Sequence, residues 1–492
     1  MNPFAMVAVV ALITATIGMG LYGLRFSRTT SDFFVASRTV RPFANATAIS
    51  GEYLSAASFM GIAGLVMVYG IDMLWYPVGY TVGYLVLLVL IAAPLRRSGA
   101  YTLSDFAEAR LESTVVRRIS SALVVSIGWL YLLPQMQAAG LTLHLMTGAP
   151  VASGGIVVAI VVGLTVMAGG MRSITLVQSF QYWLKLIAIA VPSVLIAWAW
   201  MRAGSPRLGN DAWSEPLSGF GGRDNPFYSN LSLVMATFLG TMGLPHVLVR
   251  FYTIRNGRAA RRTTLNVLVL LSAFYVFPPL LGALGRHYAP DLLTNGNADS
   301  VVLVLPQRVF GGIGGELLGA LVSAGAFAAF LSTASGLVLS IAGVMSQDLL
   351  AKRIGAVAGF RIGTAIAVAI PLALTMELAQ HSLAEMVAMA FAVAASTFCP
   401  LLVLGIWWRG LSTAGAVAGL VVGGVSSLGA VATALFLHPT GLLHTVLVQP
   451  AAWTVPLSFA TMMVVSYMTP RLIPANAAIT LGRLHTPDKF VD

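Results

Sequence analysis

Two stretches of the chain place small and polar residues inside long apolar segments, where such residues can bind an ion or a solute. One spans residues 50–58 and includes Glu52 and Ser55, and the other spans residues 240–246 and ends at His246. An interruption of a helix inside a membrane leaves main-chain N–H and C=O groups unpaired, which is tolerated only inside protein or beside a polar cavity. Freed carbonyls suit a small cation, and the N–H groups that open the next half-helix suit an anion. The pattern predicts two interrupted helices that bind a cation together with an anionic solute.

The composition indicates a membrane protein. The 492 residues are 58% hydrophobic and 9% charged, and the mean hydropathy is +0.86, whereas soluble domains contain about 25% charged residues. A net charge of +11 could suit nucleic acid, but the arginines lie in short loops between apolar segments, where they set membrane topology. Nucleic-acid binding is therefore disfavoured. The lone cysteine, Cys399, allows no disulfide within the chain.

Apolar segments of about 20 residues predict about thirteen membrane-spanning helices. They cover residues 3–24, 43–70, 72–94, 119–146, 151–171, 176–201, 230–253, 264–285, 313–346, 357–376, 384–408, 412–437 and 451–469. Basic residues alternate onto one side, which is then the cytoplasmic side. The N-terminus is predicted outside, the C-terminal tail in the cytoplasm, and loops 202–229 and 286–312 outside.

Ten of these helices divide into two groups of five, and an odd number per group gives the groups opposite orientations in the membrane. The first repeat is predicted over residues 43–201 and the second over 230–408. An N-terminal helix and cytoplasmic loop (1–42) precede them, and two peripheral helices (412–469) and a cytoplasmic tail (470–492) follow. The two interruptions then lie near the membrane midplane. The predicted fold is an all-α polytopic membrane protein with an inverted-repeat core in a single transporter domain.

A third polar group lies in a later helix. Ala329, Ser332 and Thr333 share one helical face at i, i+3 and i+4. Their hydroxyl and carbonyl oxygens could complete the coordination of a cation, although Ser and Thr in helices also bond to the preceding turn or join neighbouring helices.

Four stretches together resemble the sodium:solute symporter family over almost the full length of the chain. They are residues 31–38, 51–61, 240–251, and 331–333 together with 346–349. Within the family, the chain is similar to bacterial cation/acetate and other monocarboxylate symporters. The resemblance implies a leucine-transporter-like 5+5 fold in a bacterial inner membrane and a sodium ion as coupling ion. It also implies that sodium is bound by the main-chain oxygens of Gly51, Leu54 and Ala329 and by the hydroxyls of Ser332 and Thr333.

The solute is expected between the two interruptions. Small residues leave room there, and hydroxyls can orient the carboxylate of a two- to four-carbon acid. The candidate solute contacts are Ser55, Ala56, Ser58, Thr241, Gly243, His246, Tyr131, Gln135, Ser396 and Thr397. Helix packing is an equal explanation for Ala56, Ser396 and Thr397. His246 could carry a proton or form a structural hydrogen bond to freed backbone.

Charged residues inside the membrane are functional candidates. Glu52 could attract the cation, pair with Arg250 or Lys185, or act at the cytoplasmic gate. Lys185 offers an alternative to sodium, because a buried ammonium could occupy the cation position itself and make transport proton-driven.

The leading hypothesis is sodium-coupled symport of a short-chain monocarboxylate such as acetate, by alternating access. The alternatives are coupling to a proton through Lys185, another small solute such as proline or pantothenate, and a membrane solute-sensing module. We expect no enzyme activity and no cofactor; the expected partners are membrane lipid, sodium and a small organic anion. The sequence leaves the oligomeric state open, and the glycines at 311–315 lack the lysine of a phosphate-binding loop.

Overall fold

The structure is a computed structural model that describes residues 2–22, 40–350, 355–375, 382–437 and 439–487, and these residues form helices and connecting turns without strands. Within them, eleven helices are long and apolar enough to cross a membrane. A further pair, bent by 70° at its junction, makes a twelfth span, and a shorter apolar helix, Ala152–Ala168, occupies the predicted span 151–171. The prediction of about thirteen spans counts that shorter helix. Residues 31–38, which contributed to the family resemblance, lie outside the described residues.

The helices up to the first outer loop are as follows. They are α1 (Pro3–Tyr22), α2 (Pro42–Tyr53), α3 (Ala57–Tyr69), α4 (Ile71–Arg97), α5 (Leu103–Leu111), α6 (Thr114–Thr147), α7 (Ala152–Ala168) and α8 (Gly170–Arg202). Gly170 separates α7 from α8, because its φ of 58° is one that a side chain would strain.

The remaining helices complete the chain. They are α9 (Pro226–Gly240), α10 (Pro245–Val249), α11 (Gly257–Phe274), α12 (Phe277–Tyr288), α13 (Val301–Phe310), α14 (Gly312–Val344), α15 (Ala356–Thr375), α16 (Leu383–Trp407), α17 (Thr413–Leu437), α18 (Gly441–Val448), α19 (Ala451–Met468) and α20 (Ala477–His485). Single turns lie between several of them.

Both predicted interruptions are present. Helix α2 ends at Tyr53, Leu54 leaves helical geometry at ψ 88°, and α3 restarts at Ala57. In the second repeat, α9 gives way to a 3-10 turn, Thr241–Gly243, then to extended Leu244, and α10 starts at Pro245. Proline suits the first turn of a helix, where its missing N–H has no partner to lose. The small residues at each interruption allow the backbone to turn inside the protein.

The core is assembled around these two breaks. Helix α8 packs against both α2 and α14, while α16 packs against α9 and against the 3-10 turn of the second break. Helices α17 and α19 pack on each other and on the outside of α16. The observed arrangement therefore places α2, α8 and α14 around the first break and α16 beside the second.

Following the predicted topology, the outer side is the side that carries residues 202–229. A short turn, Ala298–Ser300, packs there against α3. Its Asp299 Oδ2 accepts a hydrogen bond of 3.0 Å from the N–H of Leu383 and so caps the start of α16. Burial raises the pKa of Asp299 to about 6.

Candidate ion and solute site

The first break is bridged by a lysine. Lys185 on α8 is completely buried, and its Nζ donates to the carbonyl oxygen of Gly51, to that of Leu54 at 2.8 Å and to the hydroxyl of Ser332 at 2.9 Å. An ammonium group has three N–H donors. Each donor therefore has an oxygen partner, and the carbonyls freed by the break are paired by a side chain of the protein.

Four of the five oxygens predicted to bind sodium lie together at this point, and the fifth, from Thr333, bonds to the carbonyl of Glu52 beside them. Three of them, from Gly51, Leu54 and Ser332, contact Lys185 Nζ. The carbonyl of Ala329 lies 3.1 Å from the Ser332 hydroxyl, and the Thr333 hydroxyl donates to the Glu52 carbonyl at 2.6 Å. The structure therefore places the Lys185 ammonium at the predicted sodium position.

A buried ion pair between Arg250 and Glu52 lies next to this group. Arg250 Nε donates to Glu52 Oε2 at 2.8 Å, and the guanidinium also donates to Thr175 Oγ1 at 2.7 Å and to Gln178 Oε1. Gln178 Nε2 in turn donates to the Ser332 carbonyl at 2.9 Å. The pair joins α2 to the turn after α10, and its contacts with Thr175 and Gln178 join both to α8. Through Gln178 the pair is also connected to α14, the helix that carries Ser332.

The buried charges of this site do not cancel. Lys185 and Arg250 are both fully buried, and Glu52 is 1% exposed, so two cationic groups face one carboxylate. Glu52 Oε1 has no hydrogen-bond partner among the described residues. Charges interact strongly in such an interior because little water screens them. When Lys185 is protonated and Glu52 is ionised, one excess positive charge remains, which a bound anion would neutralise.

The second break contains the hydroxyl of Thr241 and the buried ring of His246. The hydroxyl of Thr241 lies 2.8 Å from that of Tyr53, which ties the two breaks together. The ring of His246 is fully buried, and neither of its nitrogens has a hydrogen-bond partner among the described residues. It packs on the ring of Tyr131 at a centroid distance of 5.3 Å. Gly243 lies against the carbonyl of Ala394, where a Cβ atom would overlap that oxygen.

Most other predicted solute contacts lie beside these groups. The side chain of Ser55 is buried beside Tyr131, and the N–H of Ala56 donates to Gln135 Oε1 at 3.0 Å. The hydroxyl of Ser58 lies 2.9 Å from that of Tyr275. The two breaks and α6 therefore bring most of the predicted residues into one buried region.

Ser396 and Thr397 are exceptions. The Ser396 hydroxyl donates to the Ala392 carbonyl and lies 2.7 Å from the hydroxyl of Thr454 on α19. The Thr397 hydroxyl bonds to the Val393 carbonyl, and its methyl group faces Gly424 on α17. Both side chains therefore lie on the face of α16 that packs against the peripheral helices, and their contact with the solute stays a prediction.

Several tyrosines of the site were not predicted from the sequence. Tyr53, Tyr80, Tyr84 and Tyr275 form one aromatic cluster, which also includes Phe391 of α16. A signal was available, because Tyr76, Tyr80 and Tyr84 recur at every fourth residue and so line one face of α4.

A cavity of about 150 Å³ opens on the outer side above this cluster. Its lining includes Tyr69, Tyr76, Arg223, Glu385, His444 and Gln449. The ring of Tyr76 lies 6.0 Å from that of Tyr80. Since Tyr53, Tyr80 and Tyr84 are all at most 1% exposed, the region between the breaks is closed off from this cavity.

The family model described as "Sodium:solute symporter family" matches residues 33–423. The chain belongs to the sodium:solute symporter family. The chain is similar to an uncharacterized symporter of Bacillus subtilis, YwcA, with 31% identity over 453 residues that cover 87% of this chain and 86% of that protein.

A second relative is a monocarboxylic acid transporter of Corynebacterium glutamicum. It is 31% identical over 464 residues, which cover 87% of this chain and 83% of the relative. The family membership makes this chain a symporter of the membrane and not an enzyme.

Two solved structures share the fold of the symporter. A Na+-coupled sialic acid symporter in its substrate-bound outward-open state aligns with a TM-score of 0.71 at 14% identity, covering 94% of this chain and 98% of that one. Mhp1, a nucleobase-cation-symport-1 family transporter in a closed conformation, aligns with a TM-score of 0.58 at 16% identity, covering 93% and 99%. The predicted leucine-transporter-like fold, with its inverted-repeat core, is confirmed.

Proposed function

We propose that this symporter carries a short-chain monocarboxylate into the cell together with a proton, and that Lys185 carries the coupling charge. The observation that supports this most directly is the position of Lys185 Nζ, which contacts the oxygens of Gly51, Leu54 and Ser332. A metal ion could not share these oxygens with the ammonium at that position. The coupling cation is therefore a proton held on a side chain.

The excess positive charge favours an anionic solute. With Glu52 already paired to Arg250, the charge of Lys185 has no dedicated carboxylate partner in the site. A carboxylate bound between the breaks would balance it at close range, and the solute would bind more tightly when Lys185 is protonated. The monocarboxylic acid transporter among the relatives supports the same class of solute.

Transport then follows from reciprocal binding. From the outer side, a proton on Lys185 and a carboxylate between the breaks stabilise each other, and each is released more readily once the other has left. One proton and one monovalent anion together carry no net charge across the membrane. The transport cycle is therefore electroneutral and responds to a pH gradient but not to the membrane potential.

Sodium-coupled uptake of acetate is the second candidate. It is favoured by the four clustered oxygens around Gly51 and Ser332 and by the fold shared with a Na+-coupled symporter. In that case Lys185 would have to leave the position it holds here before sodium could bind. The proposed setting for either candidate is a bacterial plasma membrane with the N-terminus outside.

Uptake of radiolabelled pyruvate into proteoliposomes distinguishes the two. Pyruvate is a stronger acid than acetate, so less of it crosses bare lipid in the uncharged form, and protein-free liposomes measure that leak. We expect uptake driven by an acid-outside pH gradient without sodium, and no further increase from a sodium gradient. Uptake that requires sodium would establish the second candidate. No uptake of pyruvate, acetate or propionate under either gradient would overturn the monocarboxylate assignment.

Measurements of uptake at different pH values need one control variant. The pKa of Asp299 is raised by burial to about 6, so this outer carboxyl also titrates in the range of the assay. The Asp299→Asn variant removes that titration while it leaves Lys185 in place. A pH response that survives in Asp299→Asn does not come from Asp299, whereas a response lost with Asp299 would contradict coupling through Lys185.

A further inference from the structure

Two tyrosine hydroxyls near the breaks have no partner. Tyr80 and Tyr84 on α4 are 1% and 0% exposed, and neither hydroxyl forms a hydrogen bond with the residues that the structure describes. A hydroxyl buried without a partner costs free energy, since it has given up its hydrogen bonds with water. Tyr80 and Tyr84 themselves are four residues apart, so they lie one helical turn apart on the same face of α4. Such a pair indicates a ligand that supplies the missing hydrogen bonds.

The surroundings of the pair place it between the outer cavity and the breaks. The ring of Tyr84 lies 4.8 Å from the ring of Tyr53, at the end of α2. The ring of Tyr80 stacks on that of Tyr275 at 6.0 Å, and the Tyr275 hydroxyl lies 2.9 Å from Ser58 on α3. The hydroxyls of Tyr53 and Tyr275 are thus already bonded, to Thr241 and Ser58, whereas those of Tyr80 and Tyr84 are left over.

The chemistry of the pair suits a carboxylate. A phenolic hydroxyl donates a hydrogen bond without carrying a charge of its own, and hydrogen bonds to an ionised acceptor are stronger than neutral ones. A neutral donor also allows release, because transport requires binding that is favourable but weak enough for the solute to leave. The ring of Phe391, 4.9 Å from that of Tyr80, offers an apolar surface for a short hydrocarbon tail.

We propose that Tyr80 and Tyr84 are specificity-determining residues whose hydroxyls donate hydrogen bonds to the carboxylate of the transported acid. This inference rests on the proposed function, because it assigns further contacts within the same solute site. It assigns the recognition of the carboxylate to α4, and the charge that neutralises it to Lys185 on α8.

The test uses Tyr80→Phe and Tyr84→Phe in the full-length protein. Each change removes one oxygen and keeps the ring, so packing is retained. Tyr252→Phe is the matched control, because Tyr252 is also 1% exposed with an unpartnered hydroxyl but lies in the turn Arg250–Thr253, beyond the second break. The two readouts are the KM for pyruvate uptake and the rise in melting temperature of the purified protein on addition of pyruvate.

We expect each of the two variants to raise KM about tenfold or more, as for loss of a hydrogen bond to a charged group. The pyruvate-induced rise in melting temperature should shrink to a similar degree, while the melting temperature without pyruvate stays equal or increases. Tyr252→Phe should behave as the wild type does. Wild-type KM and wild-type stabilisation by pyruvate in Tyr80→Phe and Tyr84→Phe would overturn the inference.

The melting measurement separates this inference from the coupling proposal, because it needs no gradient. If uptake proves sodium-driven but pyruvate still stabilises the wild type and not the Phe variants, the coupling proposal fails and this inference stands. If pyruvate, acetate and propionate all fail to stabilise the wild-type protein, the carboxylate ligand is wrong and the inference fails with it.

Discussion

The buried polar groups at the two broken helices are paired to different extents. At the first break, the carbonyls of Gly51 and Leu54 are bonded by Lys185 of the same chain. At the second break, both nitrogens of His246 are buried without a partner among the described residues. Inverted repeats place the two breaks side by side, and at the first of them two freed carbonyls are bonded by a lysine of the protein itself.

The difference separates two tasks within one site. Under the proposed coupling, protonated Lys185 is the cation of the first break, and a pH gradient changes its charge. His246 at the second break and the tyrosines of α4 have buried polar atoms without a partner among the described residues, and the cost of burying them is recovered when a ligand binds. The cation side is thus built into the protein, and the solute side is left open.

Lys185→Ala should have the largest effect, because it removes the feature that distinguishes the first break. We expect pH-driven pyruvate uptake to fall at least about 100-fold, since two carbonyls lose their partner and the site loses its positive charge. The vacated oxygens should then respond to sodium, so added sodium should raise the melting temperature of Lys185→Ala but not that of the wild type. Pyruvate uptake in proteoliposomes and thermal unfolding in detergent measure both effects.

Lys185→Met is the matched control. Its side chain fills the same space without a charge, so uptake should be lost while no sodium response appears. Wild-type uptake driven by pH in Lys185→Ala would show that the ammonium has no part in coupling and would remove the contrast between the breaks.

Glu52→Gln should have the second-largest effect, because it removes the carboxylate partner of buried Arg250. Breaking a buried ion pair from one side costs about 3–5 kcal/mol of unfolding free energy, and here it adds to the uncompensated charge of Lys185. The double variant Glu52→Gln with Arg250→Met should regain part of this loss. Unfolding in mixed micelles provides the measurement.

The exposed pair of Arg308 and Asp291, at 2.8 Å, supplies the comparison for that experiment. Arg308→Met should change stability little, because water and salt screen such surface pairs. An equal loss in Arg308→Met and Glu52→Gln would show that burial of Arg250 and Glu52 adds nothing to the strength of their interaction.

The sequence was sufficient to predict the breaks but not which cation fills the first one. Glycine, serine and proline inside apolar segments predict an interrupted helix from local chemistry alone, and residues 50–58 and 240–246 are both interrupted as predicted. Whether Lys185 reaches the oxygens of Gly51 and Ser332 depends on how α8 packs on α2 and α14. That packing is a tertiary property, so sodium and ammonium remained alternatives.

The role of His246 was open at the sequence level for a similar reason. A structural bond to freed backbone depends on the path that the chain takes after Pro245, and His246 forms no such bond with any residue that the structure describes. The missed residues Tyr80 and Tyr84 have a different cause. Their spacing was visible, but aromatic rows on an apolar helix usually pack in a core, and only their unpaired hydroxyls mark them as exceptions.

His246→Phe tests the solute side of the comparison at a smaller scale. The ring would still pack on Tyr131, while two buried nitrogens without partners would disappear. We expect equal or higher stability without solute and a rise in KM for pyruvate of about tenfold. A variant that loses stability and keeps its KM would contradict a role in solute binding and would instead indicate a structural hydrogen bond.

Ser396→Ala and Thr397→Val should have the smallest effect on transport. Both hydroxyls bond within α16 or to Thr454 of α19, so neither faces the breaks, and KM should change less than about twofold. Ser396→Ala should lower the unfolding free energy by about 1 kcal/mol, as for loss of a single buried hydrogen bond. Kinetics and unfolding of the same preparations separate the two roles. A large rise in KM with unchanged stability would mean that this face of α16 turns toward the solute during transport, and the open side of the site would then extend beyond the second break.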